Sequence, residues 1–325
     1  MEHRRFFLVL TVKNEAPNIW EWVAHHRAAG FTDIAVYQND SEDGTDLLLE
    51  AMAEQGLIQY FPNESPRGAW QNRAYRRAAR LEAYRTADWA MALDADEFLI
   101  VRVGDGRVGD LVDALDPEVN ACTVHWKLFG SAHHARMPEG LVTEAFTLAE
   151  HPDRVTRRKV GFKTIFRPSV YRRPGIHTPK ARLPDMPAVY CNGSGIALDP
   201  DQRIGWRSKD AGGRVFAQVN HYAIRDLERF LVKCGRGRTS NHQRLVDRVY
   251  WNDFNFNHAV DDQALQRLAR TRDEMARMDA LTGGRLSALT AAGRAATAAV
   301  LEELLRDPYF NTIYHEIAAE FPQHA

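Results

Sequence analysis

The chain has 325 residues, of which 45% are hydrophobic and 26% charged, with a formal charge of −1. That length suits one large domain or two ordinary ones, and the profile is that of a globular protein. The near-zero charge excludes a global bias toward nucleic acid or membranes. The three scattered cysteines, Cys122, Cys191 and Cys234, exclude a disulfide framework and point to a reducing, cytoplasmic compartment.

Residues 6–12 form a continuous apolar run, which predicts a first strand buried on both faces. Seven residues are too few for a signal peptide core or a membrane span, and no later stretch approaches 18. Membrane contact is therefore expected to be peripheral at most, at the inner face. Lys13-Asn14-Glu15 breaks the run, and Pro17 can open a helix that Gly30 closes. Strands follow at 33–37, 57–61 and 89–93, with helices at 45–56 and 69–85 between them. This β-α-β alternation predicts an α/β fold with a mostly parallel sheet covered on both faces. Shorter strands are expected at 121–129, 160–167 and 215–222, and helices from Asp226 onward. Residues 261–281 and 286–306 read as a helical hairpin about Gly283-Gly284. The expected division is 1–240 as one catalytic unit, with halves 1–104 and 105–240, and 241–325 as a helical extension.

In such sheets ligands gather beyond the carboxyl ends of the strands. Three polar clusters fall there: Lys13-Asn14-Glu15, Asn39-Asp40-Ser41-Glu42-Asp43, and Asp94-Ala95-Asp96-Glu97. The third interrupts an apolar run, where an unpaired buried carboxylate is costly. In extended chain Asp94 and Asp96 point the same way and Glu97 points away. Two carboxylates on one side suit Mg²⁺ or Mn²⁺ with a substrate phosphate. A strand followed by an acidic turn is the plain alternative, as helix caps are for the first two clusters.

Gln71 opens a basic helix whose N-terminus, starting from Arg67, favours anions. His177 sits in the rigid loop Pro174-Gly-Ile-His177-Thr-Pro, and His221 ends a strand; a neutral imidazole is a good Mn²⁺ ligand. Residues 225–238, with Arg229, Lys233, Arg236 and Arg238, can neutralise a leaving diphosphate or form a solvated helix face.

Several segments together resemble the family-2-like glycosyltransferases, close to the family-92 type. They are Val12-Lys13-Asn14-Glu15 through His25-His26 to Gly30, then Tyr37 to Thr45, then Gln71 with Ala74-Tyr75. Trp89 to Phe98 carries the Asp-x-Asp-Glu-Phe signature, and His221-Tyr222 is followed by Phe230, Lys233 and Arg236-Gly237. The resemblance runs over about residues 6–240. It implies a GT-A fold, a nucleotide-sugar donor, first of all a UDP-sugar, and Mn²⁺ or Mg²⁺. It implies a glycan, lipid-linked or protein acceptor and no nucleic-acid partner. It further implies that Glu15 and Asp40 hold the nucleoside part, with Lys13, Asn14, Asn39, Gln71 and Lys233 around the donor. Asp94 would meet the sugar or ribose and Asp96 the metal, with His221 as second ligand and His177 in reserve. The usual Ser after the His-Tyr pair is replaced near Asp226. Inversion of configuration is the family's precedent. Asp185, Asp199, Asp210, Asp261 and Asp262 are open candidates for its base, Asp210 by its place before the His221 strand. A metal-dependent phosphohydrolase or nucleotidyltransferase, and a non-catalytic nucleotide- or glycan-binding protein, are the competing readings. The absence of a Gly-x-x-x-x-Gly-Lys loop weighs against the first.

Overall fold

A computed structural model describes residues 4–64, 69–151, 160–199, 207–208, 213–236 and 247–321. The strands β1 (Phe6–Val12), β2 (Asp33–Gln38), β3 (Gln59–Pro62) and β4 (Trp89–Ala92) pair in parallel in the order β3-β2-β1-β4. β1 is central and covered on both faces, as its unbroken apolar run predicts. Leu8, Leu10 and Val12 pack with Trp22 and Val23 of α1 (Ile19–Ala28) and Leu48 and Met52 of α2 (Thr45–Glu54). Phe7 and Val9 pack on the other side with Ala74, Tyr75 and Ala78 of α3 (Trp70–Ala78).

Beyond β4 the sheet changes character. The strand Val160–Phe166 runs antiparallel between β4 and β6 (Ala121–Leu128), and Tyr190–Asn192 continues parallel to β6. The strand Ala217–His221 lies parallel to β6 and antiparallel to β5 (Glu97–Val101), which has no second strand partner among the described residues. The outer edge of β5 is met by side chains of α1. Trp22 Nε1 donates to the Glu97 carbonyl at 2.8 Å and His25 Nε2 lies 2.9 Å from the Leu99 carbonyl. The Leu99 N–H donates to His26 Nε2 at 3.3 Å. The result is a mixed α/β sheet flanked by helices.

Two expectations need correction. The basic helix expected over 69–85 stops at Ala78, because Leu81 takes an extended backbone (ψ 142°), and only the turn Glu82–Arg85 follows. Asp94 and Asp96 do not alternate along one strand either. The chain turns between β4 and β5, with the Glu97 N–H donating to the Asp94 carbonyl at 3.0 Å.

Helices Leu268–Leu281 and Arg285–Leu304 form the expected hairpin, and Pro308–Ala318 adds a further helix. The first lies along α1, where Arg27 pairs with Glu274 at 2.7 Å. The second crosses α2 and the helix Leu227–Arg236. Its Gly293 sits against Ala16, where an added Cβ would come within 2.4 Å of the alanine Cβ. Among the described residues no helix is long and apolar enough to cross a membrane.

Candidate active site

The carboxyl ends of β1, β2 and β4 bring the three polar clusters to one edge, and much of their chemistry is spent on each other. Asn14, with φ 53°, donates its N–H to Ser41 Oγ at 3.1 Å, and its side-chain oxygen accepts from the Glu42 N–H at 2.9 Å. Asp43 accepts from the Ala16 N–H at 2.9 Å and from the Thr45 hydroxyl at 2.6 Å. Asn39 is buried and accepts from Asn63 Nδ2 at 2.7 Å. Asn14 thus ties the β1 loop to the β2 loop and Asn39 ties the end of β2 to the end of β3, while Asp40, with φ 46°, stays exposed.

Glu15 pairs with Arg225 at 2.8 Å and with Arg236 at 3.9 Å, and accepts from Asn18 Nδ2 at 3.2 Å. Burial pushes its carboxyl up, but the two guanidinium groups outweigh it and hold it below the usual range. Arg236 also donates to the Lys13 carbonyl, and to the Asn14 carbonyl at 3.3 Å. The helix Leu227–Arg236 is thereby tied to the β1 loop. Asp226 caps that helix by accepting from the Arg229 N–H at 2.9 Å.

The acidic turn is fixed at every carbonyl. Trp22 Nε1 reaches the Asp94 carbonyl at 3.1 Å, and Arg225 donates to Ala95 O at 3.0 Å. The Tyr222 N–H donates to Asp96 O at 2.8 Å. The two acids then part company. Asp94 accepts from Gln71 Nε2 at 2.8 Å on one oxygen and from Lys163 Nζ at 2.7 Å on the other. Asp96 meets Lys233 Nζ at 3.1 Å and His221 Nε2 at 3.7 Å. Burial raises its carboxyl, yet Lys233 and His221 together hold it well below the usual range. Glu97 is fully buried, accepts from the Asp94 N–H at 2.8 Å and pairs with Lys163 at 3.1 Å. It does not point away from Asp94, because the turn replaces the extended chain that reading assumed.

His221 comes to the acids but His177 does not complete a triad. His177 Nδ1 lies 3.0 Å from the Phe162 carbonyl, and its ring and the His221 ring both pack on Trp126, at 5.7 and 4.4 Å. Burial pushes the His177 imidazole down to about 4. Among the described residues no cluster of three or more His, Cys, Asp or Glu is arranged to hold a metal ion. Asp210, Arg67, Gly237 and Arg238 lie outside the described residues. Of the other candidate bases, Asp185 is exposed. Asp261 accepts from Gln218 at 3.2 Å, on the sheet face opposite His221.

Lys163 is the residue that sequence reasoning missed. Its signal was present: a lysine within the strand Val160–Phe166 is the same anomaly as acids after an apolar run. Trp126 was missed too. Its indole occupies the space beside Gly161 of the neighbouring strand, where an added Cβ would meet the ring at 2.1 Å.

The model of glycosyltransferase family 92 matches residues 10–197, more than half of the chain. No curated protein matches. Among solved structures, S. aureus TarS 1-349 in complex with UDP aligns at TM-score 0.34 with 14% identity, over 51% of this chain and 47% of that one. Glucosyl-3-phosphoglycerate synthase from Mycobacterium tuberculosis, in complex with Mn²⁺, UDP and glucosyl-3-phosphoglycerate, aligns at 0.29 with 14% identity, over 51% and 58%. HddC from Yersinia pseudotuberculosis aligns at 0.32 with 8% identity, over 57% and 88%. The matched region spans 29% to 48% of the TarS chains.

Proposed function

The chain belongs to glycosyltransferase family 92, and from that premise we propose a glycosyltransferase of GT-A-like fold that carries out metal-assisted transfer of a sugar from a nucleoside diphosphate, UDP first, to an acceptor hydroxyl with inversion. The observation that carries this reading is the split of the acidic turn. Asp96 faces an imidazole nitrogen and an ammonium, while the neighbouring Asp94 faces only groups that neutralise and orient it.

The pair of donors fits Mn²⁺ better than Mg²⁺, which prefers oxygen ligands alone. A carboxylate and an imidazole nitrogen 3.7 Å apart are both acceptable ligands to Mn²⁺, and one ion leaves room for phosphate oxygens. Asp96 and His221 would hold it, and when bound it supplies charge neutralisation for the diphosphate leaving group. The chain's own cations do the same work from the opposite side. Lys233 and Arg236, on one helix face, place positive charge where the diphosphate would develop its own. Arg225, held by Glu15, fixes the turn through Ala95 O and keeps that helix start at the site. Asp40, exposed beyond β2, is the group placed to accept from the base or ribose. Asp94 presents its remaining lone pairs to a hydroxyl of the sugar ring. The 1–240 segment would carry this chemistry, with the helices beyond it as support.

Turnover of UDP-, GDP- and dTDP-sugars with Mn²⁺ tests the reading. Asp96→Ala is expected to cost about 100-fold or more in kcat, the scale of losing one preorganised electrostatic contact. Undiminished metal-dependent turnover in that variant would remove Asp96 from the metal. Diphosphate release without sugar transfer by the wild type would favour hydrolysis over transfer.

A further inference from the structure

We propose that Lys163 is a positioning residue that sets Asp94 as a fixed acceptor for a hydroxyl of the donor's sugar; this rests on the glycosyltransferase reading of the site. Lys163 belongs to the antiparallel strand that pairs with β4, where Met91 faces Ile165. Two residues further along that strand its side chain passes the end of β4 and reaches the acidic turn. The side chain is 0% exposed, so it cannot touch substrate and acts through its partners. Burial disfavours its charge, but Asp94 and Glu97 outweigh burial and keep the ammonium protonated.

Asp94 is held at three points. Lys163 Nζ takes one oxygen at 2.7 Å, Gln71 Nε2 takes the other at 2.8 Å, and the Asp94 N–H donates to Glu97 Oε2 at 2.8 Å. Glu97 is itself fixed by the same ammonium at 3.1 Å. Each carboxylate oxygen accepts two hydrogen bonds, so one lone pair on each remains. The Asp94 side chain is 31% exposed, which turns that remaining capacity outward. Both of its oxygens are taken by fixed donors, which leaves little of it for a divalent ion. It remains a good directional acceptor for a neutral hydroxyl. Asp96, two residues on, meets one ammonium and one imidazole nitrogen, the latter a ligand type for Mn²⁺. The buried lysine therefore separates a sugar-reading acid from a metal-binding one within a single turn.

The test compares binding of UDP, GDP and dTDP with binding of their hexose and N-acetylhexosamine conjugates, by calorimetry with Mn²⁺. The proteins are wild type, Lys163→Met, and the charge-balanced double variant Lys163→Met with Glu97→Gln, which keeps the test available if the single variant does not fold. The expected result is that sugar conjugates bind wild type more tightly than the bare diphosphate. Both variants should lose roughly tenfold in affinity for the conjugate, the scale of one hydrogen bond to a charged group. Their affinity for the bare diphosphate should stay within about twofold, and KM for the donor should rise in step. Equal weakening of diphosphate and conjugate would show that Lys163 acts only as a positive charge, and no change in either would show a purely structural lysine; both overturn the assignment. A wild type that binds none of these ligands fails the donor reading itself, and the assignment falls with it.

Discussion

The first hundred residues and the stretch from 160 to 236 contribute opposite charges to the same place. Glu15, Asp94, Asp96 and Glu97 come from the turns of the parallel half; Lys163, Arg225, Lys233 and Arg236 come from the mixed half. Within the parallel half the polar groups mostly knit loops through backbone N–H groups, as Asn14 and Asp43 do. Across the halves they form ion pairs between side chains that are at most 31% exposed. The site is thus an electrostatic seam, and each half leaves the other's charges without compensation when it is altered. Buried pairs of this kind add little net stability when intact but are costly to break from one side.

The most severe way to break the seam is Lys163→Met, which strands Asp94 and Glu97. It is expected to cost about 3–5 kcal/mol, read as a lowered urea midpoint. A loss below about 1 kcal/mol would mean that solvent or a proton replaces the ammonium at little cost.

The next largest effect isolates the parallel half. Burial holds His25 down to about 4, and His26 well below its usual range, as neutral rings on β5. Both titrate near 6.5 when unfolded. Their lowered folded values mean that stability is full above pH 6.5 and is lost as pH falls from 6.5 toward 4, by roughly 3 kcal/mol for His25 alone. Denaturant midpoints at pH 7 and pH 5 measure this, and His25→Gln should flatten the difference. An equally steep fall in that variant would place the acid sensitivity elsewhere.

Gly293→Ala probes whether the C-terminal helices support the seam. Its new Cβ must displace Ala16, beside Glu15. A cost of about 1–3 kcal/mol is expected from overpacking, together with a raised donor KM. An unchanged KM would limit that helix to stability. The smallest effect is the control, Arg4→Ala. Its pairing with Asp113 at 2.6 Å is half exposed and lies away from the seam. Its loss should cost under about 1 kcal/mol in melting experiments.

The parallel half was legible because its signals are local. An unbroken apolar run at 6–12 gave β1, and strand-end acids announced the edge where they gather. The geometry within the acidic turn was not legible, since alternation along one strand was assumed where the chain reverses between β4 and β5. The mixed half hid its contribution for a different reason. A lysine on a strand or an arginine on a helix looks the same in sequence whether it faces water or a carboxylate 69 residues away, as Lys163 does with Asp94. Only the antiparallel register beside β4 distinguishes them. His177 shows the converse, an imidazole singled out in sequence as a ligand whose Nδ1 faces the Phe162 carbonyl.

β5 carries a consequence of another kind. A strand with one open side is a template on which a foreign backbone can add. Along β5 that side is closed by rings rather than by a strand: an indole at Glu97 and two imidazoles at Leu99. An imidazole that gains a proton can no longer accept from the Leu99 N–H, so acidification unlatches the template at its centre. Acidification is therefore expected to bare this sheet edge before the core opens, and light scattering at pH 5 against pH 7 checks it.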